Sequence, residues 1–315
     1  MGVKGYKAFN KGMICRGKQY EENATYEENG NEICEAGVMH FCENPFDVLN
    51  YYPLVDENGD ISDFADVEAI GDIYKEKDKT ATNKLHIGAK LGLKGFIKAC
   101  VDFTIEKTRI ESGKDNETDS SGYSAQIGSS GDYAQIGSSG YSAQIGSSGD
   151  CAKIGSSGYS AQIGSSGDYA QIGSSGDCAK IGSSGDSAQI GSSGYYAKIG
   201  SSGYSAQIGS SGGYAHIGSS GYCAKIGSSG DYAKITSEGK NSVVMAAGCN
   251  SIAKAKIGSW ITLVEWIRTD KTDDSGNCIW IPKCVKTEYV DGERIKEDIF
   301  YKLVDGEFKE VESEE

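Results

Sequence analysis

The stretch GYSAQIGSSGDYAQIGSSGYSAQIGSSGDCAKIGSS, residues 122–157, decides the fold. A nine-residue unit, Gly-(Tyr/Asp)-(Ser/Tyr/Cys)-Ala-(Gln/Lys)-Ile-Gly-Ser-Ser, recurs thirteen times between Gly122 and Glu238. Its positions are numbered here 1 to 9 from the first glycine. Ala at position 4 and Ile at position 6 never change, and a polar residue stands between them. This alternation is typical of a strand with one buried face, and Gly-Ser-Ser-Gly is typical of a turn.

One unit has only two apolar side chains to bury, so it cannot fold alone, and stacked copies are predicted to form a continuous core. Positions 2 and 3 of the first six repeats alternate between Tyr-Ser and Asp followed by Tyr or Cys. The larger unit is therefore 18 residues, which favours two repeats per coil. A triangular coil of three repeats is the alternative.

The whole chain is predicted to be mainly β. We expect a repeat β-solenoid over residues 122–258, a small α+β N-terminal domain over 1–110 and a linker over 111–121. An antiparallel β cap with an acidic tail is expected over 259–315, because an uncapped solenoid end would polymerise through its open edge.

Local signals in the terminal regions support this division. Asn44 and Pro45 are typical of a helix start, and apolar residues between Leu91 and Ile105 recur at helical spacing. Asp-Gly pairs at 291–292 and 305–306 predict hairpin turns. The remaining expected elements are strands at 5–9, 13–15, 38–42, 67–70, 260–266, 278–281 and 283–286, a helix at 45–52, a turn at 56–60, and degenerate solenoid rungs at 242–245 and 251–253.

Charge and cysteine content limit the classes of partner. The net charge is −14, and the repeats carry only five basic and seven acidic groups, so nucleic-acid binding is not expected. The first twelve residues contain no apolar stretch, and no segment is long enough to span a membrane. We therefore expect the ten cysteines to be reduced and the protein to be cytoplasmic.

The N-terminal region contains a set of short characteristic segments, at Lys4–Asn10, Cys15–Glu21, Cys34, Gly37–Cys42, Asn44–Pro45 and Tyr51–Tyr52. On these segments it resembles a family of uncharacterised domains found in bacteriophage and prophage genomes. The resemblance covers roughly the first 80 residues, and relatives often carry repetitive bodies rich in Gly, Ser, Ala and Tyr. It implies a viral or mobile-element origin and a host-cell cytoplasmic location, but no catalytic residues.

Catalytic and metal-binding patterns are weak. The best metal candidate is the set Cys15, Cys34, His40 and Cys42, but no Cys-x-x-Cys spacing supports zinc. A calcium β-roll needs Asp where the repeats have Tyr, Ser or Cys. Only three histidines are present, at positions 40, 86 and 216, and His216 is expected to be a surface variant of its repeat column. We predict no cofactor, no metal and no enzymatic activity.

The predicted function is binding of a protein partner by the solenoid surface, with inhibition of a host defence component as the specific expectation. The alternatives are a structural spacer or virion-associated scaffold, and an enzyme in the N-terminal region. Tyrosines of the repeats are candidates for anchoring a partner, although identical side chains one coil apart also stack on each other. The candidate binding residues are Tyr133, Tyr169, Tyr196, Tyr214, Tyr232, Lys153, Lys180 and Lys198.

Overall fold

A computed structural model describes residues 2–30, 37–107, 117–120, 122–273 and 275–311. The described residues form two helices and 29 strands, and most of the strands belong to the solenoid. The N-terminal domain contains β1 (Val3–Phe9), β2 (Ile14–Cys15), β3 (Lys18–Gln19), β4 (Ala24–Glu27), β5 (Met39–Phe41), α1 (Pro45–Val48), β6 (Asp63–Ala69), β7 (Ile73–Lys75), β8 (Thr80–Thr82), β9 (Lys84–Leu91) and α2 (Leu93–Lys107).

The solenoid consists of two parallel sheets whose strands alternate along the chain. The sheet named here the open sheet contains β10 (Glu117–Ser120), β12 (Gln135–Ser138), β14 (Lys153–Ser156), β16 (Gln171–Ser174), β18 (Gln189–Ser192), β20 (Gln207–Ser210), β22 (Lys225–Ser228), β24 (Val243–Ala246), β26 (Trp260–Thr272) and β27 (Cys278–Tyr289). The covered sheet contains β11 (Gln126–Ser129), β13 (Gln144–Ser147), β15 (Gln162–Ser165), β17 (Lys180–Ser183), β19 (Lys198–Ser201), β21 (His216–Ser219), β23 (Lys234–Ser237), β25 (Ile252–Ala255), β28 (Phe300–Val304) and β29 (Glu307–Val311).

The register confirms two repeats per coil. Gln126 pairs with Gln144 and Gln135 with Lys153, so each strand lies beside the strand 18 residues further along. Ala at position 4 and Ile at position 6 point inward and form one continuous core, as predicted. Position 8 also points inward, and its serines form buried columns that the sequence analysis assigned only to turns.

The Tyr/Asp alternation arises because the two edges of the solenoid stack differently. Along the edge that leads into the open sheet, the Asp150 amide donates to Asp132 Oδ1 at 3.0 Å, and the Asp168 amide donates to Asp150 Oδ1 at 2.8 Å. Along the opposite edge, the rings of Tyr123 and Tyr141 stack with centroids 5.1 Å apart. In the first six repeats a carboxylate ladder therefore joins one edge and an aromatic ladder joins the other, whereas later in the solenoid Tyr204 stacks on Tyr222 along the edge that carried the carboxylates.

Position 1 must be glycine because successive coils approach each other closely there. A Cβ on Gly149 would lie 1.9 Å from the carbonyl oxygen of Gly131, and a Cβ on Gly176 would lie 1.8 Å from that of Gly158. No side chain is compatible with such a distance without moving the backbone. This glycine column therefore sets how tightly the coils stack.

Position 3 adopts two backbone conformations. Ser187 and Ser205 have φ of 56°, in the left-handed region, whereas Ser142 and Ser160 are not among the residues with positive φ. The hydrogen bonds differ accordingly: the amide of Ser187 donates to Tyr204 O in the following coil, and that of Ser142 donates to Tyr123 O in the preceding one.

We expect Ser187→Gly to raise the free energy of unfolding by about 0.5–1 kcal/mol, because glycine removes the cost of a left-handed residue. Ser142→Gly, the matched control, should lower it by about 0.5–1 kcal/mol, because glycine there only adds freedom to the unfolded chain. Urea titrations of the full chain measure both changes, and equal stabilisation by the two variants would contradict the assignment.

The C-terminal region continues the solenoid and then closes it. The degenerate rungs expected at 242–245 and 251–253 are confirmed as β24 and β25. Residues 260–263 of β26 form the last parallel rung against β24, and on its other side β26 pairs antiparallel with β27 from Trp260 to Thr272. The hairpin expected at Asp305–Gly306 is confirmed between β28 and β29.

Two local expectations differ from the structure. Val290–Glu293 is not a hairpin, because the Asp291 carboxylate instead accepts from the amides of Glu293, Arg294 and Ile295 and forms a capped loop. Residues 117–120, placed in the linker, form β10, which pairs with β12 as a further rung of the open sheet. Residues 108–116 and 121 of that expected linker, and 312–315 of the acidic tail, lie outside the described residues.

The N-terminal domain is α+β, as predicted. Its main sheet has the antiparallel order β1-β6-β9-β4. The helix expected after Asn44 is confirmed as α1, although it ends at Val48, and the Asn44 side chain accepts from the Phe46 amide at 3.0 Å. The helix expected between 91 and 105 is confirmed as α2, whose Phe96 stacks on Phe64 with ring centroids 3.8 Å apart.

Candidate functional site

Helix α2 lies along the covered sheet and packs on the glycines at position 7. These glycines point outward, and their missing side chains leave a flat channel along the coils. Four residues of an α-helix rise about 6 Å along the helix axis, and neighbouring coils are about 4.8 Å apart along the solenoid axis. Residues about four apart on one side of the helix therefore contact position-7 glycines in successive coils. The contacts are Leu93 with Gly200, Ile97 with Gly182, Val101 with Gly164 and Thr104 with Gly146.

The loop before β6 extends this packing towards the C-terminus. Val55 and Ile61 lie over Gly218, and both are buried. In the next coil position 7 is Thr236, whose hydroxyl donates to the Gly59 carbonyl at 2.6 Å. The single threonine in this column therefore stands where a backbone carbonyl, and not an aliphatic side chain, faces the sheet.

We expect Gly218→Ala to destabilise the full chain by about 1–3 kcal/mol, because its Cβ would meet a buried side chain and overpack the interface. A Cβ at Gly218 would lie 2.7 Å from Val55 Cγ2, whereas a Cβ at Gly209 on the open sheet has no atom within 4 Å. Gly209→Ala is therefore the matched control and should be neutral or slightly stabilising. Thermal unfolding compares the two, and equal effects would refute the packing.

Position 5 of the covered sheet hydrogen-bonds to the N-terminal domain. Gln144 Nε2 donates to Asp47 Oδ1 at 3.3 Å, and Lys180 Nζ donates to the Leu49 carbonyl at 2.9 Å. In the last coil the contact comes from position 7 instead, where Lys254 Nζ lies 2.9 Å from Asp60 Oδ1. Lys254 is 8% exposed, and it holds the pKa of Asp60 below its usual value.

His216 is a member of this interface, which corrects the expectation of a surface variant. Its Nδ1 lies 3.1 Å from the carbonyl oxygen of Asp56. Burial, together with Lys198 and Lys234, lowers the pKa of His216 to about 4. An unfolded histidine titrates near 6.5, so the unfolded chain binds this proton more tightly, and stability falls as pH decreases from about 6.5 to about 4.

His216→Gln should remove that part of the pH dependence, since glutamine occupies the same column at positions 126, 144 and 162. We expect the wild type to lose more stability than the variant between pH 7 and pH 4.5. Urea titrations at several pH values measure the difference. His86→Gln, in β9, is the control. Parallel curves for wild type and His216→Gln would contradict the buried neutral histidine.

The open sheet carries the same glycine column without a covering domain. A Cβ on Gly155, Gly173, Gly191 or Gly209 would have no atom within 4 Å. The column forms the floor of a shallow trough of about 1350 Å³, here called the open trough. Position-5 Gln and Lys side chains line one rim, and exposed position-9 serines follow the other.

An apolar surface closes the C-terminal end of the open trough. Val243 and Met245 replace the Gln/Lys and Gly of the regular repeat, and they are 49% and 45% exposed. Trp260, in the next coil, is 47% exposed, and its ring lies 5.1 Å from that of Tyr289. These four residues are called the apolar end patch. The sequence signal for it is the loss of the repeat consensus at 243 and 245.

The structure divides the candidate binding residues among several surfaces. Tyr133 and Tyr169 lie on the edge that leads into the open sheet. Tyr196, Tyr214 and Tyr232 lie on the other edge, where their rings stack at 5.1 and 4.9 Å. Odd-numbered and even-numbered repeats lie on opposite edges of the solenoid. The five candidate tyrosines therefore do not form a single column.

The three candidate lysines are divided in the same way. Lys153 lies on the rim of the open trough. Lys180 and Lys198 lie side by side on the covered sheet, where Lys180 is engaged by the N-terminal domain. Of the three, Lys153 is the one that lines the open trough.

The candidate zinc residues do not form a metal site in the part of the chain that the structure describes. His40 and Cys42 lie at β5, and Cys15 accepts a hydrogen bond from the Tyr52 hydroxyl at 3.2 Å. Cys34 lies outside the described residues, and no group of three metal-binding side chains occurs among the others. Within the described ranges, neither helix has the length and apolar character needed to cross a lipid bilayer.

Fold and surface together define a β-solenoid protein with an α+β domain packed along one face. Residues 3–99 match a family described as a domain of unknown function, DUF7666. Comparison with curated proteins and with solved structures finds no match to this chain.

Proposed function

We propose that this is a non-catalytic binding protein whose open trough holds a helical segment of a protein partner. The observation that carries the proposal is the likeness of the two sheets. Both sheets are built from strands of the same repeat, and both have an outward column of glycines at position 7. On the covered sheet α2 of the chain itself packs on that column.

The partner's chemistry follows from what α2 presents to the covered sheet. Leu93, Ile97 and Val101 lie four residues apart and form one aliphatic ridge. Beside it, carbonyl and carboxylate oxygens of the N-terminal domain accept from position 5. The open trough offers the same floor and similar donors, and the apolar end patch adds area. The matching partner is an amphipathic helix with an i, i+4, i+8 aliphatic ridge and acidic or carbonyl groups beside it.

The biological setting is part of the proposal. The resemblance of the N-terminal region to phage and prophage domains supports a role inside a bacterial host cell. In that setting the partner is a host protein, and a component of a defence system that this protein inhibits is the class we propose. This step rests on the resemblance alone.

The alternative of a spacer is not favoured by the geometry. A spacer would hold the two terminal domains apart by the length of the solenoid. Instead, the N-terminal domain lies beside the coils and reaches the C-terminal ones, where Lys11 Nζ lies 3.2 Å from Glu238 Oε1. Lys254 of the last covered-sheet rungs pairs with Asp60 of the N-terminal domain. Removing repeats would therefore disturb this packing as well as the length.

A synthetic helical peptide with the sequence of α2, Leu93–Lys107, is the direct probe. We expect it to bind the full chain with a dissociation constant of about 1–100 μM, in the range of small helix-in-groove complexes. Gly191→Arg should weaken binding at least about tenfold by placing a side chain in the trough. The control Ser124→Arg adds the same side chain at an exposed turn and should leave binding unchanged.

The same variants test a natural partner recovered from bacterial lysate. A true partner should bind the wild type and Ser124→Arg equally, and should lose binding to Gly191→Arg. Tyr133→Ala and Tyr169→Ala separate recognition by the tyrosine edge from recognition by the trough. The proposal is wrong if the peptide does not bind, or if Gly191→Arg retains every interaction.

A further inference from the structure

The N-terminal domain contains a second concave site, away from the open trough. A cavity of about 470 Å³ opens between β1, the β2–β3 turn, β5 and the segment after α1. This volume lies within the usual range for small-molecule sites. The proposed partner surface does not use it.

Lys7 is the central group of this cavity. Its side chain comes from β1 and is 6% exposed, although ammonium groups are rarely buried without a carboxylate partner. Among the described residues, the one oxygen that accepts from Lys7 Nζ is the His40 carbonyl, at 2.8 Å. No carboxylate of the described residues forms an ion pair with it, so the buried charge is left for an anion to balance.

The other charges around the cavity are mostly positive. Arg16, Lys18 and Lys79 line it with Lys7, and among the lining residues that the structure describes Glu28 is the one carboxylate. Glu28 is already paired with Lys18 at 2.5 Å. A cationic cavity in a chain of net charge −14 is not a consequence of overall composition.

His40 contributes an unsatisfied polar atom at the same place. Its Nε2 is fully buried and has no hydrogen-bond partner among the described residues. Burial and the cations Lys79, Lys7 and Arg16 lower the pKa of His40, so the ring is neutral near pH 7. A neutral imidazole whose Nε2 carries the proton donates to an anion.

Aromatic rings form the remaining walls. Tyr6, Tyr20, Phe41, Tyr51 and Tyr52 all line the cavity. Rings of this kind stack on planar ligands such as nucleic-acid bases. Aromatic walls beside a buried ammonium match a ligand that has both a planar ring and an anionic group.

We propose that this cavity binds a small aromatic phosphate of mononucleotide size, with the phosphate against Lys7, Arg16 and His40 and the ring between the tyrosines. The site is independent of the open trough, so neither its presence nor its loss alters partner binding there. No covalent step is involved.

Isothermal titration of the full chain with AMP, GMP, CMP and UMP tests the proposal, with adenosine and inorganic phosphate as single-feature probes. At least one mononucleotide should bind with a dissociation constant below about 1 mM. The nucleoside and inorganic phosphate should each bind at least about tenfold more weakly, because each lacks one half of the recognised chemistry.

Lys7→Met should reduce mononucleotide affinity at least about tenfold, and it should not destabilise the fold because it removes a buried unpaired charge. Lys4→Met is the matched control, since Lys4 lies exposed on the same strand, and it should bind like the wild type. If Lys7→Met does not fold, Arg16→Gln takes its place, and the same loss of mononucleotide affinity is expected of it. Absence of mononucleotide binding, equal binding of the nucleoside or of inorganic phosphate, or unchanged affinity in the Lys7 variant overturns the proposal.

Discussion

Close approach of backbones at glycine is the constraint on which the whole structure depends. At position 1 the coils come so near each other that a Cβ would meet a carbonyl oxygen about 2 Å away, for example at Gly149 and Gly158. At position 7 the outward glycine removes the side chain that would otherwise keep a helix away from the sheet. The first column makes the solenoid, and the second makes a surface on which something else can lie.

The function follows from the unequal use of that surface. One sheet buries its position-7 glycines under α2 and the 54–61 segment, whereas the other leaves them open to solvent. Side chains at position 5 differ accordingly. On the covered sheet Lys180, His216 and Lys234 face backbone carbonyls and acidic residues at 49–60. The open sheet keeps mostly glutamine there and ends in Val243, Met245 and Trp260.

Much of this architecture can be predicted from the sequence, because the repeat makes it nearly periodic. Ala-x-Ile gives the buried face, and the Tyr/Asp alternation gives the 18-residue coil that the registers of Gln126 and Gln135 confirm. The caps of α1 and the Asp305–Gly306 hairpin follow from local turn chemistry. Asp291 has the same chemistry, but its carboxylate caps three amides in a loop, so an Asp-Gly pair alone does not determine a hairpin.

The candidate site is harder to predict, because period-2 alternation shows which side chains point outward but not what covers them. Repeat position groups the candidate tyrosines and lysines together, but whether a repeat is odd- or even-numbered decides the sheet or edge on which each one lies. His216 at position 5 and Thr236 at position 7 depart from the repeat consensus, and both lie in odd-numbered repeats, which form the covered sheet. The N-terminal cavity left no sequence pattern, because Lys7, Arg16 and His40 come from separate segments.

Two columns of outward glycines run along the solenoid, and the chain's own helix covers one of them and leaves the other open. Thiol accessibility of Gly191→Cys and Gly200→Cys, read by mass spectrometry after brief alkylation of the folded chain, tests it most directly. Both positions accept a Cβ without a close contact: the one at Gly191 meets open space, and the one at Gly200 meets Leu93 at 3.4 Å. The account predicts that the thiol introduced at position 191 reacts as fast as one in an unfolded peptide, and that the one at 200 reacts at least ~100-fold more slowly because it requires local opening. Equal rates at the two positions would contradict it.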